Sequence, residues 1–307
     1  MLTKKPANRR ASSSLFSNLL ARTIIPEETL LPKHYNDFIN QAGQFERILT
    51  DSGFMQLKRL KDDELILLIE NYLNLKTPGE DFVLRDIEFD NNLQIGEYHL
   101  QLYTMVDAEN IPSLCGSRIN YDKYSTDRTK FSIGFTSVLG QLLPCNHIYN
   151  QYIFIDDVQK TLQKLESKRL RLQSLSAYSR ENAIAKEATD NFLNEAIGEQ
   201  RLPVKAHFNL MVWTADKEKL KELRNLSSSA LTQMDATPKI ETEGAPQIFW
   251  AGIPGNAADF PMNDSFDTFS SQACCFLNLE TNYRSSASEV RIRMGDRLAG
   301  HPACRYL

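Results

Sequence analysis

The 307-residue sequence contains no Gly-x-x-x-x-Gly-Lys-Ser/Thr run. A phosphate-binding loop needs those glycines so that backbone amides can wrap the phosphates, and the Lys to add positive charge. The nearest glycine-rich stretch, Gly252 to Gly255, has no Lys behind it, so autonomous ATP hydrolysis is not expected. Cysteine is scarce. Cys115, Cys145, Cys274, Cys275 and Cys304 form no Cys-x-x-Cys, and their number is odd. That excludes a disulfide framework and a zinc-ribbon spacing, and it fits a reducing compartment. Adjacent Cys274 and Cys275 do not easily form an unstrained bridge. His34, His99, His147, His207 and His301 are scattered and suggest no metal cluster. No run approaches the roughly 18 to 20 apolar residues that span a bilayer; Leu65 to Ile69 is core-sized. Ser12 to Leu20 mixes polar and apolar residues and lacks the apolar block of a secretory signal. A strong positive charge is missing too. The net charge of -4 excludes a uniformly basic nucleic-acid binder but leaves a local basic patch open.

Hydrophobic content of 42% with 24% charged residues predicts a folded chain, long enough for more than one compact unit. Residues 1–26 carry Lys4, Lys5, Arg9, Arg10 and Arg22 without an acid, a composition shared by transit segments and frayed tails. His34 to Leu49 is the clearest helix. Tyr35, Phe38, Ile39, Ala42, Phe45, Ile48 and Leu49 recur at spacings of three and four, and Asp51-Ser52-Gly53 supplies a stop. Phe54 to Leu60 reads as a strand. Asp62 is placed to cap a second helix with Leu65, Leu68, Ile69 and Tyr72 on one side.

From residue 82 to 140 the pattern is strands and turns. Phe82 to Phe89 and Tyr98 to Met105 are expected to pair across Asn91-Asn92. Lys130 to Phe135 and Tyr152 to Ile155 are further short strands, with a polar loop over Ser113 to Arg128. No Pro or Gly lies between Pro144 and Gly198. Asp156 or Asp157 can cap a helix there that, unbroken, would run to Ala196 over about 60 Å at about 1.5 Å per residue. The cluster Ser174 to Ser179 is where it would bend or split. Val204, Ala206, Phe208, Leu210 and Val212 alternate with Lys205, His207, Asn209, Met211 and Trp213, the period of a half-buried strand. Asp216 opens a helix carrying Leu220, Leu223, Leu231 and Met234, and Pro238 to Thr242 returns as a strand. Strand, helix, strand suggests a ferredoxin-like half, with helices on one face of an antiparallel sheet. Asp264 or Ser265 is expected to cap a last helix holding Phe266, Phe269, Ala273 and Phe276 inward.

Few sites invite chemistry. Cys145-Asn146-His147 suggests a thiol activated by an imidazole, as in a thiol hydrolase; a packed Cys and a hydrogen-bonded His is the plainer reading. Asp156-Asp157 and Asp62-Asp63-Glu64 could hold a cation, but both stand where helices start and carboxylates are favoured. Lys160, Lys164, Lys168, Arg169 and Arg171 make a basic stripe, interrupted in sequence by Glu166. It could serve a DNA-binding adaptor; a solvated face or a protein contact surface is the plainer reading. Trp250 to Pro261 packs a Trp, two Pro, two Gly, Asn and Asp into a dozen residues. That is a fixed loop for docking, or a rigid connector.

Several motifs together resemble the TraG family of conjugative-transfer ATPases, the motors of type IV secretion systems. They are Gln44-Phe45-Glu46-Arg47-Ile48 with Asp51-Ser52-Gly53-Phe54, then Ser125-Thr126-Asp127-Arg128, then Cys145-Asn-His-Ile-Tyr-Asn-Gln-Tyr152. Leu175-Ser176-x-Tyr178-Ser179-Arg180, Ala206-His207-Phe208-Asn209, Trp250 to Pro261 and Glu280-Thr281-Asn282-Tyr283 follow in the same order. The similarity runs from about Leu15 to about Gly300 and covers the family's region in front of the nucleotide-binding domain. It implies a non-catalytic assembly and docking region, with ATP and Mg belonging only to a full-length motor. Implied partners are the rest of the ATPase, the secretion-channel subunits and further copies of the chain in a homo-oligomer. Its implied place is the bacterial cytoplasm or, through partners, the inner membrane. Direct nucleic-acid contact is not expected from it. Against the family pattern the chain looks truncated at both ends, since His301 to Leu307 is unlike the family's continuation.

The expected fold is α+β: a helix and strand unit, a long central helix, and a ferredoxin-like antiparallel βαβ unit. The expected segments are a flexible tail and lead-in over 1–30, an α+β unit over 31–144, and a motif strand with long helix over 145–200. The βαβ unit with its Trp/Pro/Gly loop takes 201–262, and a helix and connector 263–307. No catalytic, cofactor-binding or metal-binding residue is assigned.

Overall fold

The computed structural model describes residues 32–53, 57–75, 85–89, 93–106, 110–112, 115–120, 125–130 and 132–277. In chain order the elements are α1 (Pro32–Asp51), α2 (Asp62–Leu73), β1 (Ile87–Glu88), β2 (Gln94–Ile95), β3 (Tyr98–Met105), β4 (Arg118–Asn120) and β5 (Ser132–Gly134). Then come α3 (Ser137–Leu142), β6 (His147–Phe154), α4 (Val158–Leu175), α5 (Arg180–Gly198), β7 (Pro203–Thr214), α6 (Lys219–Thr232) and β8 (Lys239–Glu241). α7 (Ala245–Ala251), β9 (Phe266–Phe269) and α8 (Ser270–Cys275) end the described part. The class is α+β, as the sequence indicated. The described residues divide into two compact units, 32–75 with 246–260 and 85–245 with 261–277.

The second unit is built on one antiparallel sheet. β7 lies between β6 on one side and β3 and β9 on the other. β3 carries β8 and β2 along its far side. The four main strands therefore stand in the order β8-β3-β7-β6. Both β7 and β8 run antiparallel to β3, so they are parallel to each other with β3 between them. β3 and β6 are likewise parallel with β7 between them. These two interleaved split crossovers make the ferredoxin-like arrangement. It needs β3 and β6 as much as β7 and β8, so the expected border between a 31–144 unit and a 201–262 unit falls inside one sheet. α3 and α6 cover one face, where Val138, Leu139, Leu143, Ala230, Leu231 and Met234 pack with Tyr103, Met105, Phe208, Leu210 and Val212.

β7 departs from the half-buried expectation. Its alternate residues His207 and Asn209 are 0% exposed, and Met211 and Trp213 are also buried. Both faces of this strand are inside, which alternation of polarity alone did not reveal.

The long helix is instead a hairpin. α4 and α5 pack on each other and are about 27 and 28 Å long at 1.5 Å per residue. The break falls in the serine cluster. Ser174 and Ser176 hydroxyls donate to the Arg171 and Gln173 carbonyls, and Ser179 is extended at φ -147, ψ 133. Serines that bond back to local carbonyls compete with the helix ladder and suit a helix start.

Other expectations shift as well. β1 pairs with β2 rather than with β3, because Gly96 (φ +56) turns the chain two residues before Tyr98. Residues 82–84 and 91–92 lie outside the described residues. Leu57 to Leu60 forms no strand, and Phe54 is not described. Lys61, not Asp62, is the N-cap of α2, and the Glu64 carboxylate reaches back to its amide at 2.9 Å. Phe266 and Phe269 sit on β9, paired with Ala206 and Pro203, and only then does α8 begin. A free edge of β7 outweighs the helical spacing of these two rings.

In the first unit, α1 shows the predicted periodicity yet buries no residue. Tyr35, Ile39, Phe45 and Ile48 are all exposed, Ile48 by 67%. Gly53 (φ +70) ends the helix as expected. The Glu46 carboxylate pairs with Arg59 and is held below the usual carboxylate range by that hydrogen bond.

Candidate functional site

Two of the motifs meet on the central sheet. Cys145 to Tyr152 supplies most of β6, and Ala206 to Asn209 lies on β7. Tyr152 stands opposite His207, and Asn150 opposite Asn209. The Asn150 amide donates to Asn209 Oδ1 at 3.0 Å. Thr104 of β3 stands opposite Asn209 on the other side. A polar row thus crosses three strands, buried on β3 and β7 and half-buried on β6. The Thr104 hydroxyl and the Asn209 amide nitrogen find no hydrogen-bond partner among the described residues. Such groups cost about 1–3 kcal/mol each when buried.

His207 anchors this seam to the chain before β9. Its Nδ1 lies 2.7 Å from the Asp264 carbonyl, so the Nδ1–H donates. The Tyr152 ring meets the imidazole edge-on at 5.9 Å. Burial pushes the imidazole down to about 4, against the smaller upward pull of the Asp264 carbonyl. His207 is therefore a neutral, structural histidine at neutral pH. The motif Ala206-His207-Phe208-Asn209 is wholly inside, every member 0% exposed.

Cys145 and His147 are not brought together as a nucleophile and base. His147 Nδ1 faces the Cys145 carbonyl oxygen at 3.0 Å rather than its thiol. Burial pushes the Cys145 thiol up, away from the thiolate that a nucleophile needs. The geometry gives the thiol-hydrolase reading no support.

The Trp250 segment is partly helix. Trp250 lies in α7 and is 43% exposed, and the turns follow from Gly252. Asn256 Nδ2 donates to the Trp250 carbonyl at 2.9 Å and closes the loop. The Tyr72 hydroxyl donates to the Phe249 carbonyl at 2.9 Å, and the two rings stack at 5.1 Å. A β-carbon at Gly252 would collide with the Tyr72 hydroxyl, so glycine is required for this approach. That lock was invisible in sequence, since Tyr72 and Gly252 are 180 residues apart.

The acidic clusters serve helix starts. Asp157 accepts from the Lys160 amide at 3.2 Å, and Glu64 caps α2 and pairs with Lys58. On α4, Arg169 pairs with Glu166 and reaches Asp190 of α5 at 3.7 Å. Lys160, Lys164, Lys168 and Arg171 line a separate shallow groove with Gln163 and Ser167. Among the described residues no helix is long and apolar enough to cross a membrane.

Comparison with known proteins finds no family model and no curated protein that matches this chain.

Proposed function

We propose that the chain is the non-catalytic assembly and docking region of a TraG-like conjugative-transfer ATPase of a bacterial type IV secretion system. The observation that carries this reading is the ordered series of motifs from Gln44 to Pro261. Their placement is consistent with it. The described motifs fall on one helix body, strand pairs, helix ends and tight turns rather than on reactive groups, as a framework requires. The unburied apolar side of α1, with Tyr35, Ile39 and Ile48, gives such a framework a surface to dock through. The chain then works in the bacterial cytoplasm, held at the inner membrane by its partners, while ATP and Mg are handled by the rest of the motor.

Co-purification tests this. A tagged form of the chain should retain an intact TraG-family ATPase, and excess untagged chain should release it. An ATPase that passes through unretained at low salt would sink the reading.

A further inference from the structure

The basic stripe changes character on the helix α4. In sequence Glu166 interrupts it. In the helix, at 100° per residue, Glu166 points about 160° away from the middle of the stripe. There it takes Arg169 with it, and Arg169 in turn ties α4 to Asp190 of α5. Glu166 is the sole acid within α4. What remains is Lys160, Lys164, Lys168 and Arg171, within an arc of about 80° and over about 16 Å of helix. All four are exposed. Lys160 keeps a loose partner in Asp157 at 3.8 Å. Lys164, Lys168 and Arg171 take part in none of the ion pairs among the described residues. The side chains between them on this face are Gln163 and Ser167, both polar.

We propose that this face of α4 binds the phosphate backbone of duplex nucleic acid without regard to sequence. Cations spaced one helical turn apart suit a row of phosphates, and Gln and Ser are side chains that also bond phosphate oxygens. A bilayer would draw apolar side chains onto the same face; within the arc of the four cations none lies before Leu175, and exposed Leu170 stands about 80° outside it, beyond Lys160. The one prominent aromatic, Tyr178, is 86% exposed at the hairpin tip rather than interleaved with the cations, so base stacking does not drive the contact. Because the chain is net negative, the contact is local and strongly dependent on salt. It does not depend on the docking role proposed above.

The test is fluorescence anisotropy of the whole chain with a short labelled duplex, titrated between about 50 and 200 mM salt. Three to four neutralised phosphates predict a log–log slope of about -3. Lys164→Gln with Lys168→Gln should make it shallower by about 2, at 0.9 per charge. Lys164→Arg with Lys168→Arg should keep it, and Lys186→Gln, a lysine paired with Asp190 on α5, should leave it unchanged. Far-ultraviolet circular dichroism checks that each variant is folded. No binding at the lowest salt, a slope indifferent to the Gln pair, or binding to vesicles of anionic phosphatidylglycerol in place of the duplex would each overturn the proposal. None of these results touches retention of the ATPase, so the two ideas fail separately.

Discussion

Acid should weaken the sheet through His207. The folded imidazole takes a proton only near pH 4, whereas in an unfolded chain it does so near 6.5. Above 6.5 both states are neutral and the full stability is present. As the pH falls below 6.5 the unfolded state binds the proton first, so stability is lost progressively down to the folded value. At 1.36 kcal/mol per pH unit the whole shift corresponds to about 3 kcal/mol, of which about 2 kcal/mol is lost between pH 7 and pH 5. The group is fully inside, so solvent screening takes little from this figure. Urea unfolding of a Trp250→Phe form, followed by the fluorescence of buried Trp213, reads the sheet alone. His207→Gln keeps a donor for the Asp264 carbonyl but cannot titrate. It should cut the loss between pH 7 and pH 5 by about 2 kcal/mol relative to the Trp250→Phe form that keeps His207. Parallel pH profiles for the two forms would refute a neutral, buried His207.

Gly252→Ala should cost about 1–3 kcal/mol by thermal melting, as overpacking does, and Tyr72→Phe should relieve part of it because the hydroxyl oxygen is the nearest atom. An unchanged melting point would contradict the close approach. Asn209→Ala should cost about 1–3 kcal/mol by leaving the Asn150 amide without its acceptor, and Asn150→Leu with Asn209→Leu should cost less than the two single changes summed. Thiol labelling at neutral pH, mapped by mass, should reach exposed Cys274 before Cys145 and Cys115, whose thiols burial pushes up. Early labelling of Cys145 would restore the nucleophile reading.

Much of the fold was legible because local chemistry and tertiary structure agree. The alternation from Val204 to Trp213, the cap at Asp157 and the stop at Gly53 all act within a few residues. Two of the misreadings share one cause, a partner far away in sequence. Phe266 and Phe269 have helical spacing, yet β7 offers them an edge. His207 and Asn209 look solvent-facing until the Asp264 carbonyl, Tyr152 and Asn150 meet them. The long helix failed for a subtler reason, since serines break helices less visibly than Gly or Pro. At the candidate site, the lock of Gly252 on Tyr72 required two distant segments to meet. The acid-free face of α4 was within reach, because a helical projection of residues 158 to 175 already separates Glu166 from the four cations.

Sedimentation velocity of the chain mixed with an intact TraG-family ATPase tests the docking role most directly. The chain should move with the motor, and Ile39→Asp with Ile48→Asp on the exposed side of α1 should return it to its own slower boundary. Two independent boundaries at every mixing ratio, with the unsubstituted chain folded, would contradict the docking role.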